Sequence, residues 1–214
     1  MRRLCKVSVV WSPELAYAVG IIATDGNLSP DGRHMNITSK DKELILNCRK
    51  CLKLKNRIGR KARAGLSPKK YYVFQFGDKN FYEFLNQIGI FAAKSKTIGF
   101  VDLPSKYFHD FLRGCIDGDG SISIAVHPQS NQLQLRIRVC SASINFLKFL
   151  KEGILKTAKV KGGWIYTNQN GIHTLSFGKA DSIIILNLLY YTGVKFYLSR
   201  KYKVARKFLN GRVA

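Results

Sequence analysis

The chain of 214 residues carries 36 Lys and Arg against 13 Asp and Glu, a formal charge of +23. That excess calls for an anionic partner, and nucleic acid and acidic membrane surfaces are the two usual ones. With 46% hydrophobic and 12% aromatic residues, the chain has the apolar surface that a disordered basic tail lacks, so the charge decorates a folded body.

The longest apolar stretch, Leu15 to Ala23, is far short of the roughly 20 residues that a bilayer span needs. The run after Arg2 and Arg3 is broken by Lys6 and Ser8, too early for a signal-peptide core, so no membrane partner and an intracellular setting are expected, with bacterial cytoplasm and organelle alike in this respect. Cys5, Cys48, Cys51, Cys115 and Cys140 form no regular framework and are expected as reduced thiols. Cys48 and Cys51 make a CxxC inside a helical pattern, without the second ligand pair a zinc site needs, and read as buried packing.

In chain order, Ser12 is an N-cap with Pro13 at the first helical position, and the apolar run lasts to Thr24 before Asp25-Gly26 stops it. Leu28 leads into the turn Ser29-Pro30-Asp31-Gly32, after which His34 to Thr38 alternates polar and apolar as a half-buried strand does. Lys40 to Leu54 is an amphipathic helix. Strands near Lys55 to Arg63 and Tyr71 to Phe76 flank the turn Gly65-Leu66-Ser67-Pro68, and helix returns from Asn80 to Ile88.

The same order then repeats. A helix over Pro104 to Ile116 stops at Asp117-Gly118-Asp119-Gly120, and strand Ser121 to Val126, turn His127 to Asn131 and the unbroken alternation Gln132 to Val139 follow. Helix spans Ser143 to Lys156, strands lie near Val160 to Tyr166 and Ile172 to Phe177, and helices cover Ala180 to Tyr191 and Ser199 to Leu209. Ile37-Thr38-Ser39 corresponds to Val139-Cys140-Ser141, and Phe74-Gln75-Phe76-Gly77 to Leu175-Ser176-Phe177-Gly178. This divides the chain into a first domain, 1–96, a linker, 97–103, and a second domain, 104–214.

The two helix ends align as Ala18-Val19-Gly20-Ile21-Ile22-Ala23-Thr24-Asp25-Gly26 and Leu112-Arg113-Gly114-Cys115-Ile116-Asp117-Gly118-Asp119-Gly120. Both resemble the motif of the LAGLIDADG homing endonucleases, in their single-chain, two-motif form, and the element order around each copy matches over roughly residues 12 to 204. The resemblance implies an α+β fold of two pseudo-symmetric αββαββα domains, each with an antiparallel DNA-binding sheet, packed through the two motif helices. It assigns the catalytic, metal-binding carboxylate to the eighth motif position, Asp25 and Asp119. It matches Lys94 and Lys201, after the last helix of each half, to a lysine that stabilises transition-state charge, and Ser39 and Ser141 to polar residues near the scissile phosphate. At the sixth position Asp117 faces Ala23, a departure that bears on a structural cap rather than on metal binding.

Elementary physics leads the same way. Ala16-Gly20-Thr24 and Gly114-Gly118 line one face of each helix at four-residue spacing and permit close backbone approach. An Asp-Gly step alone could simply end a helix, with glycine in the left-handed cap. Two copies at equivalent places point further: carboxylates at the negative ends of two helix dipoles form an anionic oxygen cage suited to Mg²⁺, with Mn²⁺ or Ca²⁺ able to substitute in binding.

Alternation then selects a polar face for double-stranded DNA: His34, Asn36 and Thr38 in the first half, Gln132, Gln134, Arg136 and Arg138 in the second. Asn27, Ser29, Ser121 and Ser123, on the chain leaving each motif, join it, and Arg57, Lys61, Arg63, Tyr71 and Gln75 extend it unless a bulge near Gly59 reverses their parity. The reading is a monomeric, site-specific double-strand DNA endonuclease using metal-assisted hydrolysis on a long asymmetric target. The alternatives are an RNA-splicing maturase, disfavoured by retention of both Asp25 and Asp119, and a non-catalytic DNA-binding regulator, for whose separate helix-turn-helix 214 residues leave no room. The ending Arg212-Val213-Ala214 in place of a His-Asn junction argues against an intein.

Overall fold

A computed structural model of the chain describes residues 5–62 and 71–211. Arg63, the turn at Gly65 to Pro68, Arg2, Arg3 and the final Arg212-Val213-Ala214 lie outside them. The first half runs α1 (Pro13–Asp25), β1 (Gly26–Leu28), β2 (His34–Ser39), α2 (Lys42–Cys51), β3 (Ile58–Lys61), β4 (Tyr71–Gly77) and α3 (Lys79–Gln87). The second runs α4 (Phe108–Asp119), β5 (Gly120–Val126), β6 (Leu133–Ser141), α5 (Ile144–Ala158), β7 (Trp164–Thr167), β8 (His173–Phe177), α6 (Lys179–Leu189) and α7 (Ser199–Asn210). Each half builds one antiparallel sheet, ordered β1-β2-β4-β3 and β5-β6-β8-β7. This is the expected α+β architecture.

Helix α1 begins where the sequence says it should: the Ser12 Oγ accepts the Leu15 N–H at 3.1 Å, and Pro13 occupies the first turn. Its residues Leu15 to Ala23 are buried without a break, so it runs through the interior rather than along a surface. Its partner is α4. A Cβ added to Gly20 would lie 2.1 Å from the Phe111 carbonyl oxygen and 3.0 Å from Gly114 Cα, and one added to Gly114 would lie 2.2 Å from the Tyr17 carbonyl oxygen. Only glycine at both positions permits this approach.

Three boundaries differ from expectation. The helix expected over Lys40 to Leu54 is confined to Lys42–Cys51, and a 3-10 turn at Ser105–Tyr107 precedes α4. Helix α4 does not stop at Asp117 but continues to Asp119. Gly118 serves packing here rather than termination, because its missing Cβ would stand 2.1 Å from Thr24 Oγ1 of α1. Nor do Gly26 and Gly120 take the left-handed cap, their φ values being −82° and −93°. A Cβ there would come within 2.6 Å of the Ile22 carbonyl oxygen and of Ile116 Cα respectively, so glycine is required by the sharp exit from helix to strand.

Inward-facing Met35, Ile37, Phe74 and Phe76 of the first sheet and Leu135, Ile137, Val139, Leu175 and Phe177 of the second join the two helices in one core. All five cysteines are free, with Cys48, Cys51 and Cys115 buried. Among the described residues no helix is long and apolar enough to cross a membrane.

The segment that follows each half's last sheet helix also fastens the other half. In the first half's α2, Asn47 Nδ2 donates to the Tyr197 carbonyl oxygen at 2.8 Å, and Glu43 accepts both the Ser199 N–H, at 3.0 Å, and its hydroxyl. The Arg200 guanidinium meets Asp41 at 2.8–3.2 Å. Reciprocally, Ser143 at the start of α5 donates its hydroxyl to the Ile98 carbonyl oxygen.

Substituting Gly114 by Ala should therefore destabilise the protein by on the order of 1–3 kcal/mol through overpacking. Gly99→Ala, where the new Cβ would find only Asn145 Cβ at 3.7 Å, should stay within about 0.5 kcal/mol. Urea denaturation of both variants, read as a shift of midpoint at constant slope, checks the difference.

Candidate metal centre and nucleic-acid interface

Because α1 and α4 close on their glycines, their C-terminal residues meet at one end of the pair. Asp25 Oδ2 lies 3.0 Å from the position of a Cβ on Gly118, and the Asp119 charge acts directly on Asp25. Burial first, then Asp119, push Asp25 up to about 7. Asp119 is also raised, by desolvation, against the pull of Lys94 and then Lys201. Each carboxylate feels the lysine of the opposite half more strongly than that of its own, since for Asp25 the larger lysine influence is Lys201.

Neither lysine is a solvated surface side chain: Lys94 is 6% exposed and Lys201 3%. Lys94 Nζ donates to the Gly26 carbonyl oxygen. Lys201 Nζ donates to three carbonyl oxygens, of Ile116, Asp117 and Gly120, at 2.5–2.8 Å. These ammonium groups lie against main-chain carbonyls at the helix ends, where the dipole favours a cation. Desolvation lowers both lysines to about 8.

Ser39 and Ser141 stand at equivalent strand ends, each hydroxyl oxygen accepting the N–H two residues on, from Asp41 at 3.2 Å and Ser143 at 3.0 Å. Ser141, Lys94, Asp119, Ala23 and Thr24 line a small cavity of about 200 Å³. Asp117, the residue without a counterpart in the first motif, is buried. One of its oxygens accepts the Tyr17 hydroxyl and the Leu198 N–H, both at 2.8 Å, joining α1, α4 and the start of α7. The other has no partner among the described residues. Burial raises Asp117 to about 6 despite Lys201 nearby. The sequence marked Asp117 as a departure but gave no sign of the tyrosine a hundred residues away.

Among the described residues no group of three or more His, Cys, Asp or Glu side chains gathers; the carboxylates at the foot of the helix pair are the neighbouring Asp25 and Asp119. Two carboxylates suit Mg²⁺, a hard ion that keeps several waters and takes its other oxygens from substrate phosphate. Packed beside each other at two negative helix ends, they have reason to hold a cation.

The outward faces of the sheets carry most of the polar residues named from alternation. Asn27 pairs with Asn36 and Asn36 with Gln75, making one polar row across three strands. Thr38 faces Val73, and Lys61 pairs with Tyr71. Pairing from Ile58 to Lys61 is regular, without the bulge that would have reversed parity, while exposed Arg57 precedes the strand. His34 shares this face, but its Nδ1 is 2.6 Å from Asp31 Oδ2, which tethers the ring to the turn. Ser29 lies in that turn, its carbonyl oxygen accepting the Tyr82 hydroxyl.

In the second sheet Ser121 pairs with Arg138, Ser123 with Arg136 and Ala125 with Gln134, whereas Gln132 falls in the turn before β6. The Arg138 row continues through Ser176 to Trp164, and the next runs from Cys140 through Thr174 to Tyr166. Trp164 and Tyr166 are 44% and 45% exposed. Sequence reasoning missed both, although Trp164-Ile165-Tyr166-Thr167 alternates as β6 does. Among the described residues none of the eight strands contains an Asp or Glu, and no carboxylate pairs with Arg136 or Arg138.

The raised carboxyl of Asp25 has a consequence for stability. Its proton is held more tightly in the folded than in the unfolded chain, so its contribution is fully present below about pH 4 and is lost as pH rises towards about 7. In chelator at pH 8, Asp25→Asn should melt at a higher temperature than the wild type. The difference should shrink as pH falls to about 4, where both side chains are neutral. Thermal melts across that range check the sign.

No protein-family model matches the chain, and no curated protein matches it by sequence. Solved structures do match in fold. The LAGLIDADG homing endonuclease I-LtrWI, bound to target DNA, aligns with a TM-score of 0.61 at 13% identity, over 94% of this chain and 91% of that one. I-DmoI in complex with DNA and Mn aligns with a TM-score of 0.56 at 17% identity, over 85% of this chain and 98% of that one. Full-length DUF199/WhiA from Thermatoga maritima aligns with a TM-score of 0.57 at 16% identity over 96% of this chain, which spans 63% of that protein. The fold of this chain is that of the LAGLIDADG proteins, in the form that carries two motif helices in a single chain.

Proposed function

We propose that the chain is a site-specific double-strand DNA endonuclease that cuts a long asymmetric target by divalent-metal-dependent phosphodiester hydrolysis. The observation that carries this reading is the meeting of Asp25 and Asp119 at the foot of two closely packed helices, between two sheets free of carboxylates. Strands that carry Arg and Lys and no Asp or Glu suit the phosphate backbone, and the neighbours I-LtrWI and I-DmoI are bound to DNA in their structures.

Asp25 and Asp119 would hold the metal, which when bound supplies a lowered pKa for water and charge compensation at the phosphate. In the hydrolysis a water oxygen bonds to phosphorus, the bond from phosphorus to the 3′ oxygen breaks, and that oxygen takes a proton, giving a 5′-phosphate and a 3′-hydroxyl. Ser39 and Ser141 keep a hydroxyl hydrogen for a phosphate oxygen, since each oxygen already accepts a main-chain N–H. Lys94 and Lys201 hold positive charge beside the carboxylates. The sheets supply recognition: Asn27, Asn36 and Gln75 suit adenine, and Arg136 and Arg138 suit the O6 and N7 of guanine. Trp164 and Tyr166 add flat rings at the edge of the second sheet.

A second reading, binding without cutting, has one observation in its favour: both site lysines already donate to main-chain carbonyls. The discriminating experiment incubates the protein with a randomised duplex library and Mg²⁺ and sequences the ends produced. Cutting should require Mg²⁺ or Mn²⁺, and Asp25→Asn or Asp119→Asn should abolish it while leaving binding measurable. Retention of binding with no cleaved ends at any metal concentration would establish the second reading instead.

Recognition is tested separately. Arg138→Ala should relax preference at one or two positions under the second sheet only, by on the order of 1–3 kcal/mol per base pair, and leave the cleavage positions unchanged. A library selection on both proteins measures this; loss of preference spread over both half-sites would refute the assignment.

A further inference from the structure

The two motifs differ at their sixth position, and the difference reaches both lysines. In the second half Asp117 accepts the Leu198 N–H and so anchors the chain just before α7, three residues from Lys201. Lys201 then spends all three ammonium hydrogens on the Ile116, Asp117 and Gly120 carbonyls. In the first half the sixth residue is Ala23, whose methyl group accepts no hydrogen bond and instead lines the cavity of about 200 Å³. Lys94, on the wall of that cavity, donates to Gly26, the counterpart of Gly120, and to no other group among the described residues. Asp119 and Ser141 line the same space.

Resting on the endonuclease reading, we infer that the two half-sites are unequal: the one made by Asp119, Lys94 and Ser141 has a lysine free to act on a phosphate and cuts its strand first, while Lys201 serves to hold the end of α4. A lysine with one carbonyl partner keeps two N–H donors for a non-bridging phosphate oxygen or for the attacking water. A lysine with three must give up one of those hydrogen bonds to a main-chain carbonyl before it can do either. The cavity gives the first half-site room for such an oxygen beside Lys94. The two strands of one duplex would then leave the enzyme by way of a nicked intermediate of fixed polarity.

The test uses the duplex recovered from the library selection, labelled with a different fluorophore at each 5′ end, under single-turnover conditions. Expected is one strand cut ahead of the other, with the same strand always first. Lys94→Met should slow that strand by about 10²–10³-fold, the usual effect of losing one transition-state donor, and change the other strand much less. Equal rates on both strands, or equal slowing of both by Lys94→Met, would overturn the inference.

A second measurement is independent of cleavage. Trace reductive methylation of the folded protein, read by peptide mass spectrometry, should modify Lys94 several-fold faster than Lys201, and equal or reversed reactivity would overturn the inequality. Failure of the library to yield any cut duplex counts against endonuclease activity. The methylation ratio then decides whether the lysines are inequivalent, so the two failures are told apart.

Discussion

The approach of α1 and α4, in which a main-chain carbonyl lies where a side chain at Gly20 or Gly114 would have to be, sets the spacing of every group at the foot of the helices. Helices separated by bulkier side chains run about 8–10 Å apart, and a wider spacing would weaken the interaction of two carboxylates on adjoining ends. Here they act on one another. The sheets hang from the same pair, since β1 leaves α1 at Gly26 and β5 leaves α4 at Gly120, each through a step too tight for a Cβ. Polar rows on both sheets are thus registered to the carboxylates by a few glycines rather than by loops.

That geometry collects charge in an unfavourable place. Two carboxylates at negative helix ends, a third in Asp117 and two desolvated lysines lie within one small region, and the carboxyl groups are raised and the ammonium groups lowered by it. The lysines offset part of the cost by closing the helix ends. The remainder is strain of the kind that functional sites carry and that the apolar core has to outweigh.

Much of this was legible beforehand, for identifiable reasons. Ser12-Pro13 starts α1 because both residues act locally, and the duplicated order of elements follows from periodicities that each segment carries in itself. Asp25 and Asp119 could be paired because the small-residue stripes predict which helix faces meet. What the sequence concealed lies across long separations. The stop read at Asp117 failed because Gly118 answers to Thr24 on another helix, not to its own chain. His34 was placed on the right face, but its tether to Asp31 depends on the turn's geometry. The partners of Lys94 and Lys201 are main-chain carbonyls, which no residue type announces.

The unbroken burial of Leu15 to Ala23 has a consequence for how the chain is made. Its covering helix, α4, lies roughly 90 residues further on, which at about 5–20 residues per second is on the order of 5–20 s of synthesis. The fastenings of α2 come later still, from Tyr197, Ser199 and Arg200. For that interval the nascent first half presents an apolar helix with glycine on its open face and nothing yet to receive it. Helix α1 is therefore made well before it is enclosed, and a growing chain of this fold offers chaperones a target that the folded protein hides.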